Sequence, residues 1–184
     1  MRSLRNPSIG VAIDAPVMRT ARLLLRPHRL TDADRWYEIQ SIPGVREYTT
    51  WPQRNRRSSL RDLKRRTRQT RLRHSDDYLS LAIEHEGELV GDVGLHLRSV
   101  SATARCLEIS WIIHPEHQGQ GLAYEALCAV LDFVSANIEA LLLVAVVHPS
   151  NAASVALARK LGLQPLPGAA DRTIFVGTNG TLPQ

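Results

Sequence analysis

The sequence predicts a mixed α/β fold, and three observations carry that expectation. Three strand-like segments follow one another between Tyr78 and Ile113, the first two joined by the turn Glu86-Gly87-Glu88. The stretch Leu122–Asn137 repeats its apolar residues at helical spacing, through Ala123, Ala126, Leu127, Val130, Leu131 and Val134. From there the chain alternates strand, helix and strand, so its second half reads as parallel-like. A length of 184 residues fits one domain. We divide it into an N-terminal extension, residues 1–19, and a domain, residues 20–184.

Taken in order, the extension holds Pro7, Gly10 and Pro16 and reads as loosely attached, with a short strand near Val11–Ile13. Arg22–Arg26 reads as a strand stopped by Pro27. Thr31 is placed to cap a helix over Asp32–Gln40, with Asp32 and Asp34 in its favourable first turn. Pro43-Gly44 ends that helix. A helix from Ser58 or Ser59 to about Arg73 follows, burying only a narrow stripe through Leu60 and Leu63. Tyr78–Glu84 and Leu89–Leu97 form a hairpin, and Ala104–Ile113 is the third strand of the run. Alternation along it puts Cys106, Glu108, Ser110 and Ile112 on one face and Leu107, Ile109, Trp111 and Ile113 on the other. Leu141–Val147 is almost wholly apolar, as a strand covered on both faces would be. Ser150 or Asn151 opens a last helix, which Gly162 ends. Short strands follow near Leu163–Leu166 and Arg172–Val176.

Composition narrows the function classes. Hydrophobic residues are 43% and charged residues 22%, a globular balance. The longest apolar run, Ala140–Val147, is far short of the roughly 20 residues that span a bilayer, so no membrane partner is expected. The first 20 residues lack a signal-type apolar stretch. Two cysteines, Cys106 and Cys128, are too few for a disulfide scaffold and read as core thiols in a reducing, cytoplasmic setting. His114-Pro115-Glu116-His117 flanks a proline turn rather than one helix face, so no metal is expected there. The net charge is +5. Arg54–Arg73 alone holds ten basic residues and one acid, Asp62, which leaves the rest of the chain net acidic. Three readings of that segment stay open: a solvated helix face, an acceptor entrance that attracts acidic substrates, or a contact for RNA. Trp36, Tyr37, Tyr48 and Trp51 either line an acceptor groove or pack half-buried.

The turn Gln118-Gly119-Gln120-Gly121-Leu122-Ala123 is the most informative stretch, read either as a phosphate site or as an ordinary Gly-rich connection. It follows a strand and opens a helix, so its glycines expose backbone N–H groups at the positive end of a helix dipole, which suits a phosphate. No Gly-Lys-Ser/Thr follows, so it is not a P-loop. Tyr124 stands where a dinucleotide fingerprint needs Gly or Ala. Gln118, Gly121 and Ala123 match instead the acyl-CoA turn of the GCN5-related N-acetyltransferases, Gln/Arg-x-x-Gly-x-Gly/Ala.

Over about Thr20 to Leu163 the chain resembles this GNAT superfamily, and in particular its Rim-type branch of ribosomal-protein N-terminal acetyltransferases. Thr20–Arg26, Gly91-Asp92-Val93-Gly94-Leu95, Glu108-Ile109-Ser110-Trp111 with His114-Pro115, Asn151–Ser154 and Lys160-Leu161-Gly162-Leu163 look like successive segments of that branch. Leu163 stands where phenylalanine is usual.

The resemblance implies a central mixed sheet of about six to seven strands flanked by about four helices. It implies acetyl-CoA, or another acyl-CoA such as succinyl-CoA, as co-substrate, an amine acceptor such as a protein N-terminus or a small molecule, and a homodimer. It implies that the backbone N–H groups of Gln118, Gly119, Gln120, Gly121, Leu122 and Ala123 cradle the pyrophosphate. The backbone of Trp111, Ile112 and Ile113 pairs with the pantetheine arm, and Ile113 N–H holds the developing oxyanion. Asn151 bonds the cofactor arm, and Ser154 sits near the thioester sulfur. Many relatives carry a tyrosine seven residues after the asparagine as proton donor. Here that position is Ala158, so proton delivery falls to Ser154 or to bulk water. Glu108 is the candidate general base, its alternative being a strand carboxylate paired with an arginine. Deprotonating an α-amine of pKa about 8 near pH 7 costs roughly 1 kcal/mol, against roughly 4–5 kcal/mol for a lysine. A weak base therefore suits a protein N-terminus. The rival class is a catalytically silent acyl-CoA- or RNA-binding module of the same fold, which the missing tyrosine leaves open.

Overall fold

The computed structural model describes residues 8–101, 103–139, 141–167 and 172–178. Its strands are β1 (Ser8–Asp14), β2 (Met18–Arg19), β3 (Leu23–Pro27), β4 (Arg71–His74), β5 (Tyr78–His85), β6 (Glu88–Val100), β7 (Arg105–Ile113), β8 (Leu141–Val147), β9 (Gln164–Leu166) and β10 (Thr173–Thr178). Its helices are α1 (Ala33–Ser41), α2 (Pro43–Arg46), α3 (Arg56–Arg66), α4 (Leu122–Asn137) and α5 (Ala152–Lys160). Eight strands form the central sheet in the order β2-β3-β5-β6-β7-β8-β10-β9, and β1 pairs with β4 in a small second sheet.

The sheet is mixed, as the sequence predicts, but its parallel content is a single pair. Among the described residues β7 and β8 run parallel, while β10 runs antiparallel to both β8 and β9. Helix α4 makes the crossover that a parallel pair requires. The hairpin of β5 and β6 turns at Glu86 and Gly87, both at positive φ (52° and 83°).

Two apolar clusters cover the two faces. On one side α4 and α5 bury Leu127, Val130, Leu131 and Ala158 against Leu107, Ile109, Leu143 and Ala145. On the other, Trp36, Ile39 and Leu63 of α1 and α3 pack with Ala82, Leu89 and Ile112. The predicted alternation along β7 therefore holds, and Ile112 and Ile113 face opposite layers.

Four local expectations are corrected. Thr31 does not cap α1. A short 3-10 turn precedes the helix, and the carboxylate of Asp32 accepts the N–H of Arg29 at 2.8 Å. Helix α3 starts at Arg56, because Asn55 Oδ1 accepts the N–H of Ser58 at 2.9 Å and Ser58 Oγ accepts the N–H of Asn55. It stops at Arg66, since strand β4 is what buries Leu72. β8 is covered on one face only: Leu142 and Val146 are 38% and 43% exposed, because α1 and α3 roof the other half of the sheet. From Ser8 onward the segment read as a loose extension is fastened. β1 pairs with β4, Ala15 N–H bonds Thr70 O at 2.7 Å, and Ile13 is buried in the main core.

Candidate active site

The site begins where two strands part. β7 and β8 pair from Arg105–Leu141 to Glu108–Val144 and go no further. Beyond that row, among the described residues, β7 has a strand partner on one side only. His114 N–H bonds Val90 O at 2.8 Å, which makes Gly91–Ile113 a non-hydrogen-bonded pair and Asp92–Ile112 a hydrogen-bonded one. The N–H groups of Trp111 and Ile113 therefore point away from β6, into the gap. Those of Ile112 are taken by β6, so Ile112 contributes its side chain to the α1/α3 layer and no backbone group to the cleft.

The gap opens into a cleft of about 1210 Å³. One wall is the turn into α4. Gly119 and Gly121 sit at φ 73° and 77°, and Gly121 is the N-cap of α4 in the left-handed region. Gln118 has a different part from the one expected. Its N–H is given to Pro115 O at 3.1 Å, and its amide Nε2 donates to Ile113 O at 2.9 Å. It braces the turn against β7, which leaves Gly119 to Ala123 as the rest of the turn. A clamp behind the turn fixes it: Arg22 donates from Nη1 to Gln120 O and from Nε to Glu125, which also accepts from Thr20 Oγ1.

The opposite wall is the start of α5. Asn151 Oδ1 accepts the N–H of Ser154 at 3.0 Å and caps the helix. Its amide nitrogen is left to donate elsewhere. Asn151 and Ser154 both line the cleft, whereas Ala158 is fully buried in the core and offers it nothing. Lys160 also lines the cleft, its ammonium 4.0 Å from the centre of the Tyr124 ring.

The floor faces α1 and α3. Glu108 is there, with Arg98 Nε donating to it at 2.7 Å. The arginine-paired alternative is thus the one realised, although one carboxylate oxygen stays unbonded by Arg98. Beside it stand Ser110 and Tyr78, a pair that sequence reasoning missed. A Cβ at Gly94 would collide with Tyr78 Oη and lie 2.6 Å from Ser110 Oγ, so both hydroxyls converge over that glycine. Burial and the nearby Asp92 charge raise the pKa of the Tyr78 phenol. Tyr48 and Trp51 line the cleft as well, and the Tyr48 ring meets His148 at 5.4 Å. Trp36 is fully buried instead, and Tyr37 lies beneath Arg56.

Under the floor lies a buried charged network. Arg66 donates to Asp92 at 3.0 Å and to Ser80 at 2.8 Å, and its guanidinium lies 4.5 Å from the Trp36 ring. Asp92 also meets His28 Nε2 at 2.7 Å and accepts from Ser80 Oγ at 2.6 Å. Burial by itself would raise the Asp92 pKa, but the Arg66 charge and the His28 and Ser80 bonds hold it at about 2. No residue from 54 to 73 lines the cleft. The basic segment is divided: Arg66 is buried, while Arg57, Arg61, Lys64 and Arg68 are exposed. Among the described residues no three His, Cys, Asp or Glu side chains gather as a metal would need.

The family described as an acetyltransferase (GNAT) domain matches residues 22–164. The chain belongs to the GNAT acetyltransferase family. Acetyl transfer from acetyl-CoA to an amine is therefore its chemistry. Among curated relatives, the uncharacterized N-acetyltransferase p20 of Bacillus licheniformis is 26% identical over 145 residues, 79% of this chain and 80% of that protein. Among solved structures, Mycobacterium smegmatis RimJ in complex with CoA-disulfide superposes with a TM-score of 0.71 at 21% identity, covering 97% of this chain and 92% of that one. Spermidine N-acetyltransferase from Vibrio cholerae, in complex with CoA and spermine, gives 0.71 at 19% identity over 88% and 98%. At these identities the two structures speak for the shared fold alone.

Proposed function

We propose that this GNAT protein passes the acetyl group directly to a primary amine, a protein N-terminus or a small molecule, in a ternary complex with acetyl-CoA. One observation carries the reading: the parting of β7 and β8 leaves the N–H groups of Trp111 and Ile113 facing a cleft whose wall is a glycine turn at a helix N-terminus. The amine nitrogen attacks the thioester carbonyl, and a C–N bond forms as the oxygen takes the charge. Ile113 N–H donates to that oxygen. Glu108 takes a proton from the amine, through water, with its unpaired oxygen. The C–S bond then breaks, and the thiolate takes a proton from bulk water, either directly or relayed through Ser154 Oγ, which regains a proton from water as it gives its own. Gly119, Gln120, Gly121, Leu122 and Ala123 hold the pyrophosphate, and the Asn151 amide holds the cofactor arm.

Thermal unfolding with acetyl-CoA, succinyl-CoA and free CoA tests the reading. A ligand at 100 times its Kd stabilises by about 2.7 kcal/mol, and no stabilisation by any of the three would refute it. Release of CoA thiol with an amine panel then separates an enzyme from a silent binding module. Ser154→Ala is expected to lower kcat about tenfold or more with little change in acetyl-CoA affinity. Full turnover by that variant assigns the proton to bulk water directly.

The reading also places the protein in the cytoplasm, supported by two free, half-buried thiols, and no helix among the described residues is long and apolar enough to cross a membrane. A homodimer rests on the family resemblance alone, and light scattering checks it. The exposed face of α3 would suit an acidic or RNA partner, apart from the cleft.

A further inference from the structure

The floor of the cleft is unbalanced in charge, and the imbalance bears on the acceptor. Two carboxylates line the cleft, and both are already matched. Glu108 is bonded to Arg98, and Asp92 is enclosed by Arg66, His28 and Ser80. Among the described residues no carboxylate there is left to receive a second positive charge. The cations are not all matched. Arg172 lines the cleft and is only half-buried, with no ion pair or hydrogen bond among the described residues. Its position follows from the β8–β10 register, in which Thr173 faces Val147 and Ile174 faces Val146. Extending that register one residue past the strand ends would set Arg172 level with His148, and both line the cleft. Alternation puts Arg172 on the face of Ile174 and Val146, the same face as Glu108 and Ser110. That is the face away from α4 and α5, where the turn and Asn151 hold the cofactor. Val146, 43% exposed, supplies an apolar shelf beside it.

A polyamine in this cleft would bring a second cation toward Arg172 and Arg98 with no unmatched carboxylate among the described residues to pair it. A carboxylate would find Arg172 ready. Resting on the acetyltransferase reading, we infer that the acceptor is a primary amine that carries a carboxylate near the reacting nitrogen, and that Arg172 receives that carboxylate. Two sources share this chemistry, a peptide N-terminus followed by an acidic side chain and a free acidic amino acid.

Thiol release from acetyl-CoA is compared for three tetrapeptides that differ only in Glu, Gln or Lys at the second residue, for free aspartate, and for spermidine. The Glu peptide or aspartate is expected to exceed the Lys peptide and spermidine in kcat/KM by about tenfold or more. Turnover of the Glu peptide without aspartate assigns a protein N-terminus, and the reverse assigns an amino acid. Arg172→Glu is expected to invert the order, and Arg172→Gln to narrow it, with melting temperature and acetyl-CoA stabilisation unchanged. Preference for the Lys peptide or spermidine overturns the inference. So does an order that Arg172→Glu leaves intact, and so does a protein that acetyl-CoA stabilises but that turns over none of the five. Absence of any stabilisation by acetyl-CoA is a separate result, which removes the acetyltransferase reading itself.

Discussion

Arg66 shows how one side chain can join the core to the site. Its guanidinium bonds Asp92 and Asp62 and lies against Trp36 and Trp51, while its backbone belongs to a helix whose other arginines face solvent. Removing one partner of such a pair leaves a buried charge uncompensated, which typically costs about 3–5 kcal/mol. Arg66→Met is expected to lose that much in urea unfolding, whereas Arg57→Met on the exposed face should stay within about 0.5 kcal/mol. Equal losses would mean that the network contributes nothing special. His28 sets a pH dependence. Burial opposes its charge, but contacts with Asp32 and Asp92 outweigh burial and raise its pKa above the ordinary 6.5. Its contribution is complete below that ordinary value and is lost as pH rises through the raised one. Asp92 has the opposite sign. Held at about 2 against an ordinary 3.8, it stabilises above 3.8 and its contribution is lost as pH falls toward 2. Melting temperature should therefore peak between the two limbs, and His28→Asn should lack the decline on the alkaline side.

At the scale of elements, the turn into α4 works through backbone conformation. A Cβ on Gly121 would meet Arg22 Nη2 at 3.7 Å, an ordinary contact, so what a substitution costs there is the left-handed φ rather than a clash. Gly121→Ala is expected to lose about 1–2 kcal/mol of stability and to weaken acetyl-CoA binding measured by titration calorimetry. Unchanged affinity would take the pyrophosphate away from this turn. The motif that marks this turn is local, so Gln118, Gly121 and Ala123 could be read from sequence. The engagement of Gln118 with Pro115 and Ile113 could not, because it depends on how the turn folds back on β7. The same limit hid the start of α3. Asn55 and Ser58 form a reciprocal cap that was legible in principle, but the serines drew the boundary two residues late.

At the scale of the molecule, β1 and β4 enclose one edge of the main core. Ile13 and Leu72 are buried there, and Asp14 bonds Arg71 at 2.6 Å on the outside. A chain beginning at Ala15 is expected to lose about 2 kcal/mol or more, the burial of one large aliphatic side chain. Unchanged urea unfolding would show that the small sheet carries no weight.

By itself the sequence determined the main strands and helices from β5 onward, the alternation along β7 and the glycine turn before α4, because each depends on residues close together in the chain; it missed β2, α2 and β4. Only the tertiary structure decided which of ten basic residues is buried, which N–H groups of β7 lack a strand partner among the described residues, and which charges line the cleft. Those depend on pairings such as Arg66 with Asp92, 26 residues apart, and on where β7 and β8 separate. The physical reason is that a charge or an N–H group acquires its role from what stands opposite it, and the chain supplies that partner from far along its length.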